Sequence, residues 1–150
     1  MGMTIGTLHV RRSIFINAPP RRVWQEFEST ERVKGWLNLG HVVHQFEPRV
    51  GGQVSMSVEL DGEQRFFGGQ VLIYDVEREV TFESQWQEPH SWPVPTFWTI
   101  RLTPLYDGTH IELFHHGFER LGEDAPDNLQ GYEEGWDIKH LKALRSIVED

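Results

Sequence analysis

Apolar and polar residues alternate along most of this chain, and such alternation over short runs is typical of half-buried β-strands. Runs of this kind occur at residues 8–17, 42–47, 53–60, 64–74, 80–86, 96–105 and 109–118. Successive runs joined by tight turns pair in antiparallel fashion. The pattern therefore predicts an antiparallel sheet that takes up most of the chain.

Two short helical patterns follow the first run. Pro19 and Pro20 end that run, because proline cannot donate to a strand ladder and is favoured at the start of a helix. Ser29 and Thr30 begin the second helix and Gly40 ends it. The apolar positions at helical spacing are Val23, Trp24 and Phe27, then Val33, Trp36 and Leu37.

A longer helix is predicted at the end of the chain. Asp127 is placed to cap it, Gln130 stands where a capping-box partner reaches back, and the helical period runs to about Val148. Gly131 and Gly135 flank the apolar stripe, and each costs about 1 kcal/mol against alanine, which favours either close backbone approach or a soft point. The stripe itself is formed by Leu129, Tyr132, Trp136, His140, Ala143, Leu144 and Ile147.

Two Asp-Gly pairs predict hairpins and fix their registers, since a two-residue turn sets which residues face each other. The pair at 61–62 predicts Leu60 opposite Glu63, Val58 opposite Arg65, Met56 opposite Phe67 and Val54 opposite Gly69. The pair at 107–108 predicts Tyr106 opposite Thr109, Leu102 opposite Leu113 and Ile100 opposite His115. Both registers give one inward apolar face, continued through Val71 and Ile73, which we expect to form a concave wall.

Composition and charge narrow the classes of function. The formal net charge of -9 argues against nucleic acid as a partner, because such affinity depends on lysine and arginine. The absence of cysteine excludes disulfides and thiolate zinc sites. No apolar stretch approaches the ~20 residues of a membrane span, and the start of the chain has no export signal, so we expect a cytoplasmic protein.

The length of 150 residues fits one compact domain. We expect residues 1–7 to be a flexible terminus and residues 8–150 to form the domain. Six tryptophans are more than a core of this size usually requires, since each buried indole needs a partner for its N–H. Large flat side chains that line a cavity are one explanation, and simple core filling by Trp24 or Trp98 is the other.

Several motifs together resemble a known family. They are the segments 14–24 (IFINAPPRRVW) and 46–52 (FEPRVGG), Asp107-Gly108-Thr109 with His115 and Gly117, and Gly135-Trp136. From residue 8 onward the chain resembles the activator of heat-shock-protein-ninety ATPase homologue family of the START/SRPBCC superfamily. The resemblance implies the α+β helix-grip fold, in which a curved sheet wraps around the long helix and leaves an elongated apolar pocket. His140 departs from the aliphatic residue usual in that family one turn after the helix tryptophan.

The first functional hypothesis is a binding protein for a small hydrophobic or aromatic molecule. The ligand would lie between the sheet and the last helix, with His115 and His140 as polar anchors among apolar neighbours. Glu133 could orient His140, although such a glutamate is more often a solvated edge residue. The predicted ligand-binding residues are Met56, Val58, Phe67, Val71, Trp86, Ile100, Leu113, His115, Trp136 and His140.

Other functions are weighed against this one. His115 and His116 point to opposite faces of a strand, and His41 with His44 lacks an obvious third ligand, so we predict no metal and no cofactor. No nucleophile motif occurs, so no catalytic residue is assigned.

Two alternatives stay open: a cyclase-type enzyme that uses cavity histidines for acid–base catalysis, and a chaperone cofactor that acts on a protein partner. The acidic run 119–127 is a solvated loop or a pocket lid.

Overall fold

The computed structural model describes residues 4–5, 8–88, 91–125, 132 and 138–150. The described residues contain a seven-stranded antiparallel sheet in the order β1-β7-β6-β5-β4-β3-β2. Its strands are β1 (His9–Ile16), β2 (Val42–Phe46), β3 (Gln53–Leu60), β4 (Glu63–Asp75), β5 (Glu79–Trp86), β6 (Thr96–Leu105) and β7 (Gly108–His116). The helices are α1 (Pro20–Trp24), α2 (Thr30–Leu37) and α3 (Lys139–Glu149). This arrangement confirms the predicted α+β helix-grip fold.

The two short helices begin where the sequence predicts them. Pro20 stands at the start of α1, and the Ser29 hydroxyl caps α2 by accepting a hydrogen bond from the Arg32 amide at 3.1 Å. A 3-10 turn, Gln25–Phe27, connects them. Both helices bury their apolar positions in the main core, which the inner face of the sheet and Leu144 of α3 also join. The helices therefore close one side of the curved sheet.

The β3–β4 hairpin has the predicted register, with Leu60 opposite Glu63 and Met56 opposite Phe67. The β6–β7 register is shifted by two residues, so the predicted pairs there are wrong. Ile100 faces Leu113, and His115 faces Trp98 instead.

The cause of this shift is the position of the turn. Tyr106 and Asp107 form the turn, and Tyr106 adopts a φ of +56°. Gly108 belongs to β7, where a Cβ would lie 2.5 Å from the Ile16 carbonyl oxygen of the adjacent strand β1. The glycine thus permits close strand approach rather than the turn. A shift of two residues preserves the face of each side chain, so His115 still points inward.

The inward face does not continue through Ile73, as the alternation predicted. A register shift lies between Val71, which faces Phe82, and Ile73, which faces Thr81. Phe82 and Thr81 are neighbours on β5 and point to opposite faces, so Ile73 lies on the outer face. Tyr74 turns inward instead, and its hydroxyl donates to the Phe27 carbonyl oxygen at 3.0 Å.

The C-terminal helix is shorter than its periodicity predicts. Tyr132 is helical, but Ile138 is a bend with φ −83° and ψ −2°, and α3 begins only at Lys139. An unbroken helix from Asp127 to Val148 is therefore wrong, and two glycines in the preceding segment weaken helix propensity in that region. Residues 126–131 and 133–137, with the predicted cap, Glu133 and Trp136, lie outside the described residues. The buried residues of α3 are His140, Leu141, Leu144 and Val148.

Most of the terminus predicted to be flexible, residues 1–7, also lies outside the described part of the chain. Among the residues that are described, no helix has the length and apolar character needed to cross a membrane.

A buried carboxylate joins the first two helices and gives a test of what holds them. The Glu26 side chain is 3% exposed, and its Oε2 accepts hydrogen bonds from Arg22 at 2.8 Å and from Arg32 at 3.1 Å. Because the carboxylate is desolvated, replacing it leaves two guanidinium groups without their charged acceptor. We expect Glu26→Gln to lower the free energy of unfolding in urea by about 1–3 kcal/mol.

The control for this variant is Glu112→Gln. Glu112 pairs with Arg11 at 2.9 Å, but that arginine side chain is 44% exposed, so the pair is screened by water. We expect a loss of less than about 1 kcal/mol. Equal losses in the two variants would contradict the stabilising role assigned to burial of Glu26.

Candidate functional site

The inner face of the sheet carries a continuous set of aromatic rings. Period-two alternation along β4, β5 and β6 points these side chains to one face, where they meet across the strands. Ring centroids lie 4.8 Å apart for Phe67 and Trp86, 5.3 Å for Phe82 and Trp98, and 6.1 Å for Phe67 and Trp98. The aromatic cluster, as we call it, consists of Phe67, Phe82, Trp86, Trp92, Trp98, His115, Phe118 and Tyr132.

His115 is the polar group at the centre of this cluster. Its side chain is completely buried, and its Nε2 lies 2.8 Å from the Thr96 hydroxyl. Its ring centroid is 4.6 Å from those of Phe118 and Tyr132, and 5.7 Å from that of Trp98. Burial, and to a smaller degree the charge of His116, hold the pKa of His115 well below its usual value. The imidazole is therefore neutral at neutral pH and acts through hydrogen bonds.

One end of the cluster is only partly covered. Trp86, Trp92 and Tyr132 are half-buried, and the Trp86 indole N–H donates to the Tyr132 hydroxyl at 3.0 Å. Burial raises the pKa of Tyr132 to about 12, against the opposing effect of the Trp86 hydrogen bond. The hydroxyl therefore stays protonated, and because a phenol both donates and accepts, it can offer its hydrogen to another group.

A pair of stacked histidines lies at the other end. The rings of His41 and His140 have centroids 5.1 Å apart and an interplanar angle of 15°. His140 Nε2 donates to the Leu39 carbonyl oxygen at 2.7 Å, and His41 Nδ1 donates to the Leu37 carbonyl oxygen at 3.2 Å. The His41 ring also contacts Trp98, with centroids 5.6 Å apart. Trp98 thus links the histidine pair to His115.

Burial, together with the charge of His140, lowers the pKa of His41 to about 4. The backbone hydrogen bond to Leu37 opposes this shift without reversing it. His41 is therefore neutral at neutral pH, and its ring packs as an aromatic group.

The structure brings most predicted site residues together on the inner face. Five are deeply buried, with exposures of 0–4%: Met56, Phe67, Val71, Ile100 and Leu113. Trp86 and Val58 are half-buried, and Val58 also lines a surface groove beside β3. His115 and His140 are both buried; His115 contacts Trp98 directly, and His140 stacks on His41, which contacts Trp98. The predicted residue Trp136 lies outside the described residues.

Sequence reasoning missed several members of the site. Trp98 and Phe82 could have been found, because each alternates with an inward aliphatic residue on its own strand. His41 lies in a loop between α2 and β2, where no periodicity indicates a direction. Its role depends on stacking with a helix residue about a hundred positions away, and a single sequence gives no signal for such a contact.

The neighbouring His116 points to the outer face, as strand alternation predicts. Its Nε2 lies 2.8 Å from the Thr99 hydroxyl, which lies 2.8 Å from the Thr81 hydroxyl. Burial is the main cause that lowers the pKa of His116 to about 4. Across the described residues, no three histidine or carboxylate side chains are placed to hold one metal ion.

The chemistry of the aromatic cluster follows from these contacts. Its rings offer large flat apolar surfaces, and its polar groups are a neutral imidazole, a phenol and indole N–H groups. Among its described members none is charged at neutral pH. Such a surface suits an uncharged aromatic or apolar molecule, because a charged one would lose its hydration without compensation.

Comparison with known proteins places this geometry in a family. A family model described as "Activator of Hsp90 ATPase homolog 1-like protein" matches residues 17–149. A solved structure of a Chromobacterium violaceum protein is 27% identical, with a TM-score of 0.71, and the match covers 95% of this chain and 98% of that one. No curated protein matches the chain significantly.

Two more distant structures show the same fold. A protein of Arthrobacter aurescens is 19% identical with a TM-score of 0.71, over 99% of this chain and 90% of that one. A structure described as the Aha1 dimer from Colwellia psychrerythraea is 16% identical with a TM-score of 0.62, over 95% and 97% of the two chains. Because the family model covers most of the sequence and the resemblance extends over the whole fold, the chain belongs to the family of activator of Hsp90 ATPase homolog 1-like proteins.

Proposed function

We propose that this protein binds a small hydrophobic or aromatic molecule in a cavity between the sheet and the C-terminal helix. The observation that carries the proposal is the aromatic cluster, which is continuous across the inner face and half-buried at its Trp86 end. Small-molecule sites are mostly apolar, with a few polar groups that orient the ligand. The proposed lining is Met56, Val58, Phe67, Val71, Trp86, Ile100, Leu113, His115, Trp136 and His140.

The half-buried end offers the polar contact. The Tyr132 hydroxyl accepts from Trp86, which leaves its own hydrogen to donate to a ligand oxygen or nitrogen. The Tyr132 ring lies edge-on to Trp92 and to His115, so a flat ligand at this end would meet aromatic surface on more than one side. We infer that the preferred ligand has an aromatic body and one neutral polar substituent.

The first test is native mass spectrometry of freshly purified protein, which detects a ligand that survives purification. The second is a thermal shift assay with uncharged aromatic compounds, since a ligand at a hundred times its dissociation constant adds about 2.7 kcal/mol to stability. We expect at least one compound to raise the melting temperature. A panel without any binder, together with a ligand-free mass spectrum, would remove this function.

A pair of ligands of matched shape tests the polar contact. 1-Naphthol and 1-methylnaphthalene differ in hydrogen bonding but little in size. We expect Tyr132→Phe to weaken binding of 1-naphthol about 3- to 10-fold, the effect of one neutral hydrogen bond, and to leave 1-methylnaphthalene unchanged. Titration of intrinsic tryptophan fluorescence measures both affinities. Equal weakening for the two ligands would show that Tyr132 contributes only shape.

The family match favours a second candidate, a chaperone cofactor. The net charge of -9 would favour a basic surface on the partner and make the association weaken as salt rises. The test is the ATPase rate of an Hsp90-type chaperone with and without saturating protein. Stimulation that falls with added salt supports this candidate, and an unchanged rate at saturation excludes it.

A further inference from the structure

A surface groove lies beside β3, and its lining includes His41 of the stacked histidine pair. It has a volume of about 510 Å³, within the range of small-molecule pockets. One wall is the 38–41 loop, which joins α2 to β2, and the other is the β3–β4 hairpin. The lining residues are Asn38, Gly40, His41, Val42, Ser57, Val58, Glu59, Gly62 and Gln64.

His41 belongs to both the groove and the interior. It lines the groove, and its ring also meets Phe67 at 5.9 Å and Trp98 at 5.6 Å between centroids. Val58 is shared in the same way, since it is a member of the inner face and a wall of the groove. One imidazole ring therefore stands between the groove and the rings of Phe67 and Trp98.

The 38–41 loop can release this ring without disturbing the sheet. β2 begins only at Val42, so the loop takes no part in the strand ladder. The His41 ring donates to the Leu37 carbonyl oxygen at the end of α2. Further hydrogen bonds that hold the loop run from His140 to the Leu39 carbonyl oxygen and from the Val43 amide to Asn38 Oδ1 at 2.6 Å. Rotation of the His41 side chain would break its Leu37 bond and its ring contacts with His140, Phe67 and Trp98, but it would leave the Leu39 bond in place. Gly40 adopts a φ of +84°, and a Cβ there would lie 3.4 Å from Lys139 Nζ, so the glycine leaves room for the lysine side chain beside the loop.

Polar side chains line the groove, among them the carboxylate of Glu59 and the neutral groups of Asn38, Ser57 and Gln64. The Ser57 hydroxyl is bonded to His44 Nε2 at 2.7 Å and accepts from the Gln64 amide at 3.1 Å. Ser57 is 1% exposed, so this hydrogen-bonded set is fixed rather than solvated. A molecule in the groove would meet the exposed side chains of Glu59 and Gln64 and the ring of His41.

We propose that this groove is the entrance to the aromatic site, that the His41 side chain is its gate, and that it admits an uncharged flat aromatic molecule. The proposal rests on the ligand-binding function above. At neutral pH the gate is uncharged, since the pKa of His41 is lowered to about 4, so it presents no fixed charge to a passing apolar molecule. The aromatic cluster behind it is also uncharged in its described part.

A gate changes the rate constants for association and dissociation but not the dissociation constant. A residue that lines the site changes the dissociation constant, so kinetic measurements distinguish the two roles. The probe is N-phenyl-1-naphthylamine, an uncharged aromatic amine whose fluorescence rises in apolar surroundings, followed by stopped flow. We expect His41→Ala to raise both the association and the dissociation rate constants about tenfold, with the dissociation constant changed less than about threefold. His41→Phe keeps a ring at the gate and should stay close to the unmodified protein. His110→Ala, on β7, is the control and should not change either rate.

A second variant tests the groove at a residue on the outside of its entrance. Val42 lines the groove and is 45% exposed, so Val42→Trp can narrow the entrance without entering the core. We expect both rate constants to fall severalfold. This variant keeps the test decisive if His41→Ala does not fold.

The outcomes separate the gate from the function on which it rests. Probe binding with rates unchanged in both His41→Ala and Val42→Trp overturns the gate and leaves ligand binding intact. A dissociation constant that rises together with an unchanged association rate also overturns the gate, because it makes His41 a lining residue. Absence of probe binding in every variant, with no compound active in the thermal shift assay, overturns both proposals.

Discussion

Acidification from pH 7 to pH 5 should destabilise this protein far more than carboxylate titration explains. His41, His115 and His116 are held neutral in the folded state, with pKa values of about 4 for His41 and His116 and a lowered one for His115. Their unfolded value is 6.5, so between these values the unfolded chain binds more protons than the folded one.

The sign of the effect follows directly. Stability is fully present above pH 6.5 and falls as the pH drops below it, and the fall continues to about pH 4 for His41 and His116. Each group contributes a slope of up to about 1.4 kcal/mol per pH unit, so His41 and His116 together give a loss of about 3–4 kcal/mol at pH 5, and His115 acts in the same direction. The free energy of unfolding in urea at pH 7, 6 and 5 measures this directly.

Two substitutions assign the effect to individual residues. His116→Gln keeps a donor for Thr99, and His41→Phe keeps a ring on His140, so each removes a titrating group with little change of shape. Each variant should show a shallower dependence of stability on pH. The two reductions should add, because His41 packs against the inner face of the sheet and His116 lies on its outer face. A flat profile between pH 7 and pH 5 in the unmodified protein would show that these histidines are already solvated.

The strands and the inward face could be predicted from the sequence, because both depend on local alternation. Met56, Phe67 and Leu113 point inward as expected, and the β3–β4 register follows from its turn. The β6–β7 register could not be predicted in the same way. Gly108 lies in β7, where the absence of a side chain allows β1, which is distant in sequence, to approach closely. The turn is therefore formed by Tyr106 and Asp107. A long-range contact thus overrode a local turn rule.

The polar part of the site was predicted only in outline. Strand alternation identified His115, and helical spacing identified His140, which is buried as expected. Neither pattern predicts what these rings contact. The stack of His140 on His41 and the contact of His115 with Tyr132 depend on how a loop and a helix approach the sheet. A β-bulge inserts one extra residue and so interrupts the alternation of faces along a strand. The register shift between Val71 and Ile73 is why Ile73 was assigned to the wrong face.

Gly68→Ala should be the most damaging small substitution in the sheet. Gly68 adopts a φ of +146°, and a Cβ there would lie 2.1 Å from the Val54 carbonyl oxygen of β3. That oxygen is backbone, so the clash is relieved only by separating β3 from β4, where Gly68 faces Ser55. Steric strain and the unfavourable backbone conformation together cost about 2–6 kcal/mol.

Gly62→Ala is the matched control for this substitution. Gly62 has a φ of +78° but nothing within 4 Å of its added Cβ, so it incurs only the conformational cost, about 1 kcal/mol. By circular dichroism we expect the melting temperature to fall by about 10 °C or more for Gly68→Ala and by a few degrees for Gly62→Ala. Because Phe67 precedes Gly68 and contacts Trp86, the first variant should also weaken ligand binding, whereas the second should not. Equal shifts in the two variants would mean that β3 and β4 are less closely apposed than the Val54 contact requires.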